Sequence, residues 1–105
     1  MLELGRPEGA LEILTSAISR HPESAILRVL QSRALLQTGR PAEAATAADA
    51  AVALDPKLAD AHYQRAVVAL ARKDGAAAIG DLVEATALDP CHVQARKALA
   101  MLRYA

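Results

Sequence analysis

The chain has no phenylalanine, no tryptophan and no asparagine, and its aromatic content is two tyrosines. Runs of aromatic and β-branched residues, the usual mark of strands, are therefore missing, and any core must be filled by small aliphatic side chains. The single cysteine, Cys91, excludes an internal disulfide and agrees with a reducing compartment. Charge of one sign is also absent: twelve basic and twelve acidic residues cancel, with a pI near 6.8. A nucleic-acid partner would call for a basic excess to neutralise phosphates. No charge-free stretch approaches the roughly 20 residues needed to span a bilayer, and the start does not read as a signal peptide. These absences lead to the expectation of a soluble, cytoplasmic protein with no nucleic-acid and no membrane partner.

What is present is alanine, supported by leucine, valine and isoleucine, within a hydrophobic content of 53%. Alanine has the best intrinsic helix propensity and lets helices approach closely. The 105 residues suffice for one domain, or for about three copies of a unit of thirty to forty residues. An internal period is visible. Pro22, Pro56 and Pro90 stand 34 residues apart, each closing a segment with helical apolar spacing. The same step relates Ala10, Ala44 and Ala78, then Leu14, Ala48 and Leu82, then Ala17, Ala51 and Ala85. It also carries Leu2-Glu-Leu-Gly-Arg-Pro onto Leu36-Gln-Thr-Gly-Arg-Pro.

Each period divides into two helices. Gly5-Arg6-Pro7 and Gly39-Arg40-Pro41 place a glycine where the chain can take positive φ after one helix, and a proline in the first turn of the next. Lys73-Asp74-Gly75 replaces that turn in the third copy, with Asp74 as N-cap. The second helix of each pair stops at Pro22, Pro56 or Pro90, because proline disfavours the α conformation in the residue before it. Six helices are predicted, over residues 7–20, 24–38, 41–54, 58–72, 75–88 and 92–104.

A 34-residue unit of two antiparallel helices resembles the tetratricopeptide repeat family, and the likeness covers essentially the whole chain. It is carried by Ala44 and Ala78, Ala51 and Ala85, Ala66 with Ser32, and Pro56 and Pro90. Positions that are often aromatic in the family hold Arg28 and His62, Leu35 and Ala69, and Ala48 and Leu82, which implies a thin core dependent on close alanine packing. Ankyrin repeats have a similar length, but no Thr-Pro-Leu-His-like segment occurs. The resemblance implies an all-α, right-handed superhelical solenoid of antiparallel helix pairs, forming a single domain. Its frame is a half repeat over 1–24, repeats over 25–58 and 59–92, and a terminal helix over 93–105. His92, Arg96, Lys97 and Arg103 give that last helix a polar surface suited to an end cap.

In this family the first helices of successive repeats line a concave groove. Projected onto helical spacing, the groove residues are Ile26, Val29, Arg33 and Leu36, then Asp60, Tyr63, Val67 and Leu70, then Gln94, Lys97, Met101 and Tyr104. An apolar floor dotted with charges suits a peptide or helix of a protein partner. Some members of the family grip the C-terminal carboxylate of chaperones with Lys, Asn and Arg side chains, and the lack of any asparagine argues against that role. Leu11, Leu14 and Ile18 would be left uncovered on the first helix, making self-association into a homodimer the alternative. A third reading makes the chain the repeat portion of a larger enzyme.

Chemistry within the chain itself is not expected. Cys91 and His92 are adjacent while His21 and His62 lie far off, unlike the short paired spacing of zinc ligands. Asp55 and Asp89 are one repeat apart, beyond the roughly 5 to 9.5 Å over which paired carboxylates work, and read as turn residues; His21 occupies their column. His62 reads as a packing residue. The five glycines are scattered and form no phosphate loop. The expectation is a binding module with no catalytic residues, no metal and no cofactor.

Overall fold

The computed structural model describes residues 7–104, which form six helices: α1 Pro7–Arg20, α2 Ala25–Gln37, α3 Pro41–Leu54, α4 Ala59–Ala71, α5 Gly75–Leu88 and α6 Val93–Tyr104. The repeat match at Leu2–Arg6 and the groove role given to the Tyr104 side chain lie outside what is described. Each helix packs on the next in sequence, and α2 also packs on α4. The first helices α2 and α4 thereby stack side by side, with the second helices α3 and α5 behind them. No described helix is long and apolar enough to cross a membrane.

The turns show why the helices stop where they do. After α2, Arg40 N–H bonds the Leu35 carbonyl at 2.8 Å and Gly39 N–H that of Leu36 at 3.1 Å. Those two bonds make a Schellman motif, which requires positive φ at its penultimate residue, and Gly39 has φ 76°. One repeat later the same pair of bonds links Asp74 to Ala69 and Lys73 to Leu70. There the left-handed position is filled by Lys73, at φ 63°. A side chain in that region crowds its own carbonyl, so Lys73→Gly is expected to raise stability by about 1 kcal/mol. The check is a higher urea midpoint with an unchanged slope.

Side chains cap the starts of α2 and α5, whereas α3 and α4 begin without a side-chain cap bond. Ser24 Oγ accepts from Leu27 N at 3.3 Å and Asp74 Oδ1 from Ala77 N at 3.2 Å, which makes Asp74 the expected N-cap. Asp55 and Asp89 accept from Lys57 N and Cys91 N, at 3.2 and 3.0 Å, and close the turns between repeats.

The core is thin and mostly alanine. Ala44, Ala48 and Ala51 on α3, Ala61 and Ala66 on α4, Ala78 and Ala85 on α5, and Ala95 on α6 are all 0% exposed. Larger side chains are few, and they alternate. In the first repeat Leu35 on α2 packs against Ala48 on α3; in the second, Ala69 on α4 packs against Leu82 on α5. The large residue changes helix from one copy to the next.

Between the two copies lies a small buried polar knot. Ser32 Oγ donates to the Ala44 carbonyl at 2.8 Å and accepts from Gln64 Nε2 at 3.3 Å, tying α2, α3 and α4 together. Both side chains are almost wholly buried, at 0% and 3% exposure, so their pairing avoids the cost of unsatisfied polar groups.

Candidate functional site

The first helices enclose a concave cleft of about 450 Å³. α2, α4 and α6 all contribute to its lining. Val29, Arg33 and Leu36 line it from α2, Asp60, Tyr63 and Val67 from α4, and Gln94 from α6; Gln37 and Gln64 join them. Seven of the residues predicted for a groove are thus brought together. Val29 is deeper than expected, 5% exposed and packed in the core with Ala51 and Ala61, so it is floor rather than contact surface.

The cleft runs diagonally. It is lined by α2 from Val29 to its last residue Gln37, by α4 from Asp60 in its first turn to Val67, and by the first turn of α6 at Gln94. Ile26, at the start of α2, Leu70, near the end of α4, and Lys97 and Met101, beyond the first turn of α6, stand outside it. They are exposed, with Ile26 at 60% and Met101 at 69%. Equal spacing along each helix finds the right face and misses this offset between helices.

His92 fixes one side of the cleft. Its Nδ1 accepts from Ala95 N at 3.1 Å, which makes the imidazole the N-cap of α6. Nδ1 is then unprotonated, so Nε2 carries the hydrogen and donates to Asp60 Oδ1 at 2.6 Å. The ring also lies against Tyr63, with centroids 4.9 Å apart. This corrects the expectation that His92 contributes polar surface: it is 9% exposed and joins α6 to α4.

The first helix is not bare in the way its sequence implies. Ile18 is 9% exposed, and Leu11 packs on the cluster formed by Leu35, Ala44, Ala47, Ala48 and Val68. Seven residues apart, the two share one face, and that face turns forward onto the first repeat. Leu14 is half-buried and lines an apolar hollow of about 310 Å³ with Ala10, Ile13, Leu30 and Ala34. The apolar side chain left exposed is Ile13, at 72%.

On the opposite, convex side lies a cluster that helical spacing did not reveal. Arg65 on α4 reaches Asp81 on α5 through Nε at 3.0 and 3.1 Å and through Nη2 at 2.8 Å. Asp49 on α3 lies 3.7 Å from Arg65 Nη1. Hydrogen bonding to Asp81, helped by the charges of Asp81 and Asp49 and opposed by burial, raises the Arg65 pKa above the ordinary arginine value. The guanidinium accordingly stays charged in any ordinary buffer. His62 is buried as expected and bonds the Pro56 carbonyl through Nε2 at 2.8 Å. The sequence did hold one signal: the column of Asp81 has a buried alanine, Ala47, in the preceding copy.

Neither side gathers reactive groups. Cys91 is exposed on a turn, and among the described residues no three His, Cys, Asp or Glu side chains are arranged to hold a metal. The arrangement offers two open surfaces built from stacked helix pairs. Such a stack, with a concave cleft across its first helices, defines a helical-repeat solenoid. A family model of the tetratricopeptide repeat matches residues 2–59 and again 30–92, and the chain belongs to that family. Among curated proteins no sequence matches.

Solved structures share the fold. The first TPR domain of Spaghetti (RPAP3), bound to the HSP90 peptide SRMEEVD, aligns with TM-score 0.87 and 21% identity, over 94% of this chain and 79% of that one. The Arabidopsis OM64 TPR domain aligns with TM-score 0.85 and 23% identity, over 92% and 80%. MamA aligns with TM-score 0.84 and 22% identity, and the chain spans 58% of its length.

Proposed function

We propose that the chain is a protein-interaction module whose concave cleft holds an extended peptide or one helix of another protein. The observation that carries this reading is the convergence of Arg33, Tyr63, Gln64 and Gln94 around an apolar floor of Val29, Leu36 and Val67. Apolar side chains of a ligand would be desolvated on that floor while Gln94 and Arg33 fix its direction. Family membership supports the reading, and so does a likeness to a domain solved with a peptide in place. A chaperone tail is not the proposed ligand, since the chain has no asparagine.

The test joins Arg33→Glu to Gln94→Glu, both at exposed positions. Affinity capture with the wild-type chain, followed by mass spectrometry, supplies the partner, and calorimetry measures the binding of its isolated segment. The double variant is expected to bind roughly tenfold more weakly with unchanged helicity. Equal affinity would move the binding site off this face.

A second reading, self-association, is favoured by one observation: Ile13 stands exposed beside the hollow of Leu14, Leu30 and Ala34. Sedimentation equilibrium should then give a dimer that Ile13→Lys dissociates. A monomer throughout the micromolar range removes this reading.

A further inference from the structure

Behind α4, the second helices α3 and α5 stand apart and leave a convex trough of about 800 Å³. Ala45, Val68, Ala69, Ala77 and Gly80 make its apolar lining. Gly80 sits inside α5, where glycine costs about 1 kcal/mol relative to alanine. A Cβ added there meets nothing within 4 Å, so no contact within the chain demands glycine. The position is open toward the trough, and a backbone approaching from outside gives the missing side chain a purpose.

The polar lining has a sign. Four carboxylates, Asp49, Asp74, Asp81 and Glu84, face two guanidinium groups, Arg65 and Arg72. The whole chain has zero formal charge, so this acidity is local. One buried group also lacks a partner. The His62 ring lines the trough with its side chain 8% exposed, and Nδ1 makes no hydrogen bond. Because Nε2 donates to the Pro56 carbonyl, Nδ1 of the neutral ring is an acceptor, and it faces Asp81 Oδ1 at 3.8 Å. Asp81 Oδ1 is already bonded by Arg65 Nε and Nη2, so His62 Nδ1 alone among the polar atoms of this floor is buried without a donor.

We propose that the trough docks a lysine- or arginine-bearing segment of a partner protein. The segment's backbone runs over the small residues at Gly80, and its cationic side chain enters between Asp49 on α3 and Glu84 on α5. This surface lies on the face opposite the concave cleft and does not depend on the function proposed there. A module of two helix pairs would then hold two proteins at once, one on each side of α4.

The test uses the full chain and a fluorescently labelled oligo-lysine peptide at low salt, with oligo-glutamate of the same length as control. Saturable binding of oligo-lysine alone is expected, with amide shift changes centred on Asp49, Gly80 and Glu84. Gly80→Leu, whose Cβ meets nothing within 4 Å and which puts a better helix former in place of glycine, should keep or raise the melting temperature and abolish binding. Asp49→Asn with Glu84→Gln should weaken binding roughly fivefold, the loss expected when two exposed ion pairs go. Arg33→Glu, in the concave cleft, should not weaken it. The proposal is overturned by no saturable binding, by binding that survives Gly80→Leu, or by shift changes centred on Tyr63 and Gln94.

Discussion

Leu82→Ala is expected to destabilise the chain by about 4 kcal/mol, toward the upper part of the range for emptying a filled core site. Leu82 is 0% exposed and is the largest fully buried side chain among the described residues. The buried residues of its cluster are Ala66, Ala78, Ala85, Ala95 and Leu99, mostly side chains with no rotamers that could swing into the space, with Tyr63, Ile79 and Leu102 packed around them. The cavity therefore persists, and the lost contacts are not recovered. A domain of this size has roughly 5–15 kcal/mol to lose, so the change is severe. The same cluster holds α6 through Ala95 and Leu99, and amide exchange should rise first in α5 and α6 while α2 and α3 stay protected. Adding Ala69→Leu should return about half of the loss, because it recreates the first repeat's arrangement of Leu35 opposite Ala48. Urea unfolding of both variants checks the cost and the rescue together.

That exchange between Leu35 with Ala48 and Ala69 with Leu82 shows how far the sequence could be read. The 34-residue step and its prolines locate every helix, because chain termination is local: a proline or a left-handed turn acts on its immediate neighbours. The face of each first helix is equally local, being set by 3.6-residue spacing. Depth is not local. Val29 sinks into the core and Met101 stands clear of the cleft, although both fall on the face predicted for the groove. What separates them is the offset of one helix on the next, which depends on the packing of alanines from two or three helices. The coverage of Leu11 and Ile18 fails for the same reason. Their spacing marks a shared apolar face but does not say toward which neighbour it turns.

The convex cluster was least legible of all, since Arg65 and Asp81 lie 16 residues apart on different helices and repeat no earlier pair. Periodicity finds what recurs, and this pair occurs once. Its trace is a break in a column, where a carboxylate takes the place of the buried Ala47. Departures from a repeat are where a repeat protein carries its individual chemistry.

Removing the two partners of that pair should have unequal costs. Arg65→Gln is expected to cost about 3 kcal/mol, because it leaves a carboxylate buried without its cation. The Asp81 side chain is 9% exposed, and its other close polar neighbour, His62 Nδ1 at 3.8 Å, forms no hydrogen bond with it. Asp81→Ala should cost only about 1 kcal/mol. The Arg65 side chain is 35% exposed and already lies 3.7 Å from Asp49, so a freed guanidinium can turn to that carboxylate or to water. Together the two substitutions restore the residues of the preceding copy, Gln31 and Ala47. The double variant should then stand within about 1 kcal/mol of wild type, since replacing an internal ion pair by a packed neutral pair is often close to neutral. Thermal and urea unfolding of the four chains completes a double-mutant cycle, with an expected coupling of about 3 kcal/mol. If the single losses are equal and additive, the pair makes no net contribution to stability, and the bidentate geometry only records where two side chains come to rest. If the cycle closes as expected, the pair joins α4 to α5 and holds the wall between the two clefts in place.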